Sequence, residues 1–345
     1  MIRVLLVEDS VTQREILRRL IAGDGDFAVV AEARNGKEAL AAVARHAPDV
    51  VLMDIHMPDM DGITATREIM RQCPVPIVIA SATLKKDDVD LAMQAFQSGA
   101  VAVIEKPEGA VLLHLQKIGP ALRRELIAAS QARLRRAAPP GPAAPKSTPV
   151  PARRLPQVEV VGVCVSTGGP TVLMAIFSRL PPAFPIPVLL VQHITQGFEA
   201  GFARWLAGAT GQAIGLATPG QRLLPGIWIA PAGRHLTLGS AGRIELPMGK
   251  PADIHCPSGD PLFESLARHA GPRALGVQLT GMGDDGAHGL LKLKQAGAMT
   301  IIQDEPSCLI WGMPRAAQEC GAATCAMSPE EIGRALAQLA APRAP

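Results

Sequence analysis

Val160-Val161-Gly162-Val163-Cys164-Val165-Ser166-Thr167-Gly168-Gly169-Pro170 is the stretch on which the reading of this chain turns. A β-branched apolar run stops at a serine. Two glycines and a proline follow, and apolar residues then return at helical spacing: Val172, Leu173, Ile176, Phe177 and Leu180. That order predicts a buried strand, a tight turn, and a helix with Pro170 at its first position. Backbone N–H groups at a helix start favour negative charge. The Ser166 hydroxyl at this turn is therefore a candidate nucleophile.

A serine needs a base to take its proton and a third group to orient that base. Downstream, an apolar run ends in Val191-Gln192-His193. Another leads into Leu279-Thr280-Gly281-Met282-Gly283-Asp284-Asp285-Gly286, again strand, glycine turn and helix. In a parallel sheet the strand carboxyl ends share one edge, so Ser166, His193 and one of the two aspartates converge there. The order Ser, His, Asp differs from those familiar in other serine hydrolases. Gly281 and Gly283 let the loop backbone approach a substrate, which makes an N–H near Met282 a candidate oxyanion donor. Such a donor contributes about 2.7–4 kcal/mol to transition-state stabilisation. The first turn has no G-x-G-x-x-G and no Gly-Lys-Ser, which argues against a dinucleotide or P-loop site. Cys164 reads as a small buried strand residue, and the Met282 and Met313 side chains as packing groups. His46, His56, His114, His269 and His288 are assigned structural roles.

Outward from this centre, strand candidates at 158–165, 188–192, 227–230, 274–279 and 299–303 make the C-terminal half an α/β unit. The N-terminal half has the same rhythm, with strand candidates at 4–7, 28–31, 50–53, 77–80 and 102–104. Helical patterns such as 37–45 and 89–97 fill the gaps, and Gly36, Gly62 and Gly99 punctuate them. The expected fold class is α/β: two doubly wound parallel-sheet domains, each sheet covered on both faces. Between the halves, from about Arg133 to Pro156, Pro, Ala and basic residues dominate and leave little to bury, which reads as a Pro/Ala-rich linker. The domains are placed at 1–125, 126–156 (linker) and 157–345.

Composition bounds the function. At 345 residues two domains are expected, and 48% hydrophobic with 19% charged residues is enough for two cores. A net charge of +3, no Tyr and 3% aromatic residues give no platform or field for nucleic acid, so no nucleic-acid partner is expected. No apolar run is long enough to span a bilayer, so no membrane insertion is expected, and Met1 to Val7 reads as a strand and not as a leader. Six scattered cysteines without C-x-x-C spacing point to a reduced, cytoplasmic protein.

In the N-terminal half, acids fall where strands end: Glu8-Asp9 after the first strand, Asp54 after the third. Three clustered carboxylates suit an oxygen-liganded Mg²⁺ that bridges to phosphate. Ser81 ends the fourth strand and Lys106 the fifth, a hydroxyl and a point charge suited to a phosphoryl group. Together with Met57-Pro58, Asp61-Gly62, Ser81-Ala82 and Lys106-Pro107, this half resembles the receiver domain of two-component response regulators, a flavodoxin-like fold. The resemblance implies that Asp54 is the phospho-acceptor, that Glu8, Asp9 and Asp54 hold Mg²⁺, and that Ser81 and Lys106 sense the phosphoryl group. Val103 stands where receivers often carry an aromatic switch residue.

The C-terminal motifs, joined by Ala230-Pro231, His235, Pro257-Ser258, Leu262-Phe263-Glu264-Ser265 and Gly312-Met313-Pro314, resemble the chemotaxis methylesterase family over the whole chain. The resemblance implies a Rossmann-like, α/β-hydrolase-type catalytic domain with Ser166 as nucleophile, His193 as general base and Asp285 as orienting acid. Thr167 and the Met282 backbone are implied as oxyanion groups, and no metal is expected in this half. Asp284 stands where the family often has Asn. The implied activity is phosphorylation-activated hydrolysis of glutamate γ-methyl esters on methyl-accepting chemoreceptors, with methanol released, and deamidation of receptor glutamines. The implied phosphoryl donor is a chemotaxis histidine kinase. A phospho-dependent docking module, or a serine esterase or amidase of another signalling pathway, are the competing classes.

Overall fold

The computed structural model describes residues 1–23, 25–81, 86–106, 112–134 and 157–340, with the side chains of 86–90 and 112–118 left aside. Two compact units divide it, Met1–Leu134 and Arg135–Pro345. Ala82, Pro107, His114 and the 135–156 part of the expected linker lie outside what is described.

The first unit runs β1 (Ile2–Val7), α1 (Val11–Ala22), β2 (Phe27–Ala33), α2 (Gly36–His46), β3 (Val50–Asp54), α3 (Gly62–Gln72), β4 (Ile77–Ser81), α4 (Lys86–Gln97), β5 (Ala102–Glu105) and α5 (Leu112–Ser130). The five strands form one parallel sheet in the order β2-β1-β3-β4-β5. Every residue of β3 and β4 is buried, so both faces of the sheet are covered. Each such Val, Leu or Ile contributes about 1.5–3 kcal/mol by leaving water. Local signals start the helices: the Thr64 N–H donates to Asp61 Oδ1 at 2.7 Å, and the Glu38 N–H to Asn35 Oδ1 at 2.9 Å. Helix α5 extends to Ser130, and Leu126, Ala128 and Ala129 along it are buried.

The second unit runs β6 (Val160–Val165), α6 (Gly169–Phe177), β7 (Val188–Gln192), α7 (Glu199–Thr210), β8 (Ile214–Leu216), β9 (Ile227–Ile229), β10 (Thr237–Leu238), β11 (Ile244–Glu245), α8 (Gly259–His269), β12 (Ala274–Gln278), α9 (Ala287–Gln295), β13 (Met299–Gln303), α10 (Met313–Glu319), β14 (Cys325–Met327) and α11 (Pro329–Gln338). Seven strands make a parallel sheet, β14-β13-β12-β6-β7-β9-β8, and β10 and β11 pair as an antiparallel hairpin. The α/β class and the parallel sheets hold in both units. The short strands β8, β14 and the hairpin were not expected, since two or three residues carry no readable period. Helix α6 begins one residue earlier than expected, so Pro170 is its second residue, after an N-cap Gly168 at φ +84°.

A pair of glycines sets how closely the helices approach this sheet. Gly162 on β6 and Gly276 on β12 are neighbours across the ladder. A Cβ on Gly162 would meet Leu266 of α8 at 2.5 Å, and one on Gly276 would meet Leu290 of α9 at 2.5 Å. The bare backbone forms a trough into which both helices sink. Strand β6 lies between β12 and β7, the point where chain order reverses and where open α/β sheets place ligands.

Candidate functional site

Both units gather polar groups at the carboxyl edge of their sheets. In the first, β1 delivers Glu8 and Asp9, β3 delivers Asp54, β4 ends in Ser81, and Lys106 follows β5. Lys106 Nζ stands 2.7 Å from Glu8 Oε2 and 2.7 Å from Asp54 Oδ1, with all three side chains buried. Burial pushes the Glu8 carboxyl above its usual range, Asp54 adds to that, and Lys106 and the Ser10 N–H oppose it. The Ser81 hydroxyl is buried with no hydrogen-bond partner among the described residues. Glu8, Asp9 and Asp54 each bring a carboxylate oxygen within 4.8 Å of the others. Three carboxylates against one ammonium suit a divalent, oxygen-liganded cation, and the donor set fits Mg²⁺. A Cβ on Gly62 would collide with the Asp54 carbonyl oxygen, so glycine keeps the following loop tight under the acid. Sequence reasoning missed Arg14. Its buried guanidinium donates to the Glu8 carbonyl at 2.6 Å and to Glu32 at 3.0 Å, bracing the turn that carries both acids.

In the second unit, the Ser166 N–H donates to Thr280 O and the His193 N–H to Val165 O, each at 3.0 Å, which locks the three loops in register. His193 Nε2 lies 2.8 Å from Asp285 Oδ2. The carboxylate is an acceptor only, so Nε2 carries the proton and Nδ1 the lone pair. That Nδ1 is buried with no hydrogen-bond partner among the described residues.

Asp285 also accepts from Ser258 Oγ at 2.5 Å and from the Gly259 N–H at 2.7 Å, the N-cap and first residue of α8. Burial works against its charge. The His193 N–H and imidazole, then the Gly259 and Ser258 donors, outweigh it and hold the carboxyl well below the usual range. Asp284, its neighbour, is exposed. The sequence left the two aspartates open on residue grounds; the structure brings Asp285 to His193. Cys164 Sγ lies 3.8 Å from the same carboxylate. Burial, followed by Asp285 and Asp260, pushes its thiol well up, as suits an inert strand residue. Cys164, His193 and Asp285 also offer ligand-type atoms within 4.8 Å of one another, and forming the thiolate there would be costly.

Around the serine, Gly281 is required by close approach, since a Cβ on it would meet Ser166 Cβ at 2.6 Å. This puts the Gly281–Met282 turn against Ser166. The Thr167 and Met282 N–H groups donate to no acceptor among the described residues. Gly259 and His255 escaped sequence reasoning, and Ser258 was noted only as part of a motif. His255 stacks flat on His193, ring centres 4.4 Å apart and planes 4° off parallel. His235, noted only as part of a motif, pairs with Asp253 at 2.9 Å. A histidine just ahead of a Pro-Ser helix cap was the available signal for His255.

This edge, with its His–Asp pair beside an N-capped serine turn, coincides with a match to the CheB methylesterase family model over residues 161–336. The chain belongs to the CheB methylesterase family. Residues 4–116 match the response regulator receiver domain. Members similar over their full length include protein-glutamate methylesterase/protein-glutamine glutaminase 1 of Syntrophus aciditrophicus, 41% identical over all of both chains. Enzyme 3 of the same name from Anaeromyxobacter dehalogenans is 42% identical over 98% of each. Among solved structures, the Thermotoga maritima CheB methylesterase catalytic domain is 32% identical. It covers 53% of this chain and 98% of its own, with a TM-score of 0.50. The chain is thus a methylesterase-type hydrolase with a response regulator receiver. Among the described residues, no helix is long and apolar enough to cross a membrane.

Proposed function

We propose that this protein is a phosphorylation-activated serine hydrolase, acting in the cytoplasm, that removes methyl groups from glutamate γ-methyl esters of methyl-accepting chemoreceptors and deamidates receptor glutamines. Residues 1–125 act as the receiver, 126–156 as the linker and 157–345 as the catalytic part. The observation that carries the reading is the 2.8 Å His193–Asp285 bond at the strand end beside Ser166, with Nδ1 left available. The names of the full-length relatives supply the substrate class.

Ser166 Oγ attacks the ester carbonyl carbon while His193 Nδ1 takes its proton. Asp285, kept ionised, stabilises the imidazolium and fixes the tautomer. The carbonyl oxygen becomes an oxyanion that accepts from the free N–H groups of Thr167 and Met282. The imidazolium returns the proton to the leaving oxygen, and methanol departs; with a glutamine the leaving group is ammonia. Water then attacks the acyl-enzyme by the same proton path and frees Ser166 and the glutamate side chain.

In the receiver, Asp54 accepts the phosphoryl group from a chemotaxis histidine kinase. Glu8, Asp9 and Asp54 would hold Mg²⁺, which would supply charge neutralisation for the transferring group. Lys106 pairs with the added charge, and the orphan Ser81 hydroxyl donates to a phosphoryl oxygen.

The test is methanol release from methylated receptor membranes by the intact protein, with and without a phosphoryl donor plus Mg²⁺, against Ser166→Ala. Release that vanishes in Ser166→Ala (by about 10⁶-fold) and rises with the donor is expected. Release that persists in Ser166→Ala would sink the reading, and release indifferent to the donor would remove its regulatory half.

A further inference from the structure

Three strands of the second unit end in glutamine: Val191-Gln192, Val277-Gln278 and Ile302-Gln303. All three side chains are buried, at 3%, 0% and 0% exposure. Glutamine is an unusual occupant of a closed parallel-sheet core, because its amide carries four hydrogen-bonding positions that must be met without water.

Each amide is spent on the loop at the functional edge. Gln192 Nε2 donates to Ser166 O at 3.1 Å and to His193 O at 2.9 Å. Gln278 Nε2 donates to Asp285 O at 2.9 Å. Gln303 Oε1 accepts from the Thr280 N–H at 2.9 Å, and its Nε2 donates to Ser307 O at 2.9 Å. Two amides therefore hold the backbone carbonyls of all three residues of the proposed triad. The third holds the residue before the Gly281–Met282 turn. Among the described residues, Gln192 and Gln278 bond only on the donor side, since both Oε1 atoms are buried without a hydrogen-bond partner there. An orphan buried acceptor lowers stability, and an apolar side chain of the same size would avoid it. A residue kept at a stability cost points to work at the site.

We propose that Gln192 and Gln278, with Gln303 one strand further out, are positioning residues that fix the register of Ser166, His193 and Asp285 through their main chains. The proposal rests on the serine-hydrolase reading above. The reason is geometric. The three triad residues lie past the ends of different strands, and a misplacement of about 1 Å in such a constellation costs up to about 10²-fold in rate.

Gln212 provides the internal control. It is equally a buried glutamine, and its amide donates to Leu180 O at 3.1 Å and Pro181 O at 3.2 Å. It precedes β8, however, and so sits at the opposite, amino-terminal edge of the sheet.

The experiment compares full-length Gln192→Met, Gln278→Met, Gln303→Met and Gln212→Met, all near-isosteric losses of the amide. Melting temperature, kcat and KM for methanol release, and the rate of Ser166 labelling by a fluorophosphonate are measured on each. The expected result is a 10–100-fold fall in kcat and in labelling rate for Gln192→Met and Gln278→Met, with KM within about threefold. Gln212→Met should lose melting temperature alone. Equal kcat in site and control variants, once normalised to folded protein, would overturn the proposal. If one site variant fails to fold, the other and Gln303→Met decide by the same comparison. Ser166→Ala in parallel separates the two ideas: activity surviving there defeats the serine reading, whereas activity lost there but intact in the glutamine variants defeats only the positioning role.

Discussion

The two strand-end clusters of this protein treat a buried carboxylate in opposite ways. In the receiver, Glu8 sits beside Asp54 and Asp9, and burial with like charge pushes its carboxyl up in spite of Lys106. In the methylesterase unit, Asp285 is also buried, yet a helix N-terminus, a serine hydroxyl and an imidazole pull it down. The difference is in the donors, not in the depth. The excess negative charge of the first cluster, with a Ser81 hydroxyl unpaired among the described residues, fits the cation and phosphoryl site proposed for it. The donors that meet Asp285 in the second fit the base-orienting role proposed for it. One fold edge therefore serves two chemistries through what each loop returns to it.

The sharpest way to break that contrast is to take away the charge of Asp285. Asp285→Asn should lower kcat for methanol release by about 10⁴-fold while phosphate incorporation at the receiver is unchanged. A loss of less than tenfold would mean that His193 is not oriented through this bond. A smaller effect is expected at the donor shell. Ser258→Ala removes one of the bonds to the carboxylate and should cost about tenfold in kcat, near 1.4 kcal/mol, with the Gly259 N–H left in place. A change in KM alone would assign Ser258 to substrate contact instead.

The smallest effect is in stability against pH, and the two sites should move in opposite senses. The depressed carboxyl of Asp285 contributes stability that is present above the unfolded value of about 3.9 and is lost as pH falls through its lower folded value. The raised carboxyl of Glu8 contributes stability that is complete below about 4.3 and is lost as pH rises through its folded value. Melting temperatures should therefore show the advantage of wild type over Asp285→Asn shrinking on acidification below pH 4. Wild type should lose melting temperature relative to Glu8→Gln between pH 4 and pH 7, and Mg²⁺ should recover that loss. Parallel trends in the two comparisons would erase the contrast.

Much of this was legible in the chain. The apolar runs of β1, β3, β4, β6, β7, β12 and β13 are long and continuous, because strands covered on both faces need no polar alternation. Serine, histidine and the acids stand where those runs stop, and a parallel sheet brings such stops to one edge. The strands β8 and β14 and the β10–β11 hairpin were not legible, since they are set by pairing with neighbours and not by their own pattern.

The sequence by itself thus determined the two α/β units, the edge, and the residues that face one another across it. Tertiary structure decided among equals. It chose Asp285 over Asp284 because one is buried under α8 and the other faces water. It left Nδ1 of His193 as the free nitrogen because Asp285 reaches Nε2. It brought Ser258 and Gly259 onto the Asp285 carboxylate, His255 onto the His193 ring, and Gln192 and Gln278 onto the carbonyls of Ser166, His193 and Asp285. Those choices depend on burial and on contacts between segments up to about 120 residues apart, as with Cys164 and Asp285. A local pattern carries the chemistry of a side chain, and only the packed chain fixes its neighbours and hence its charge.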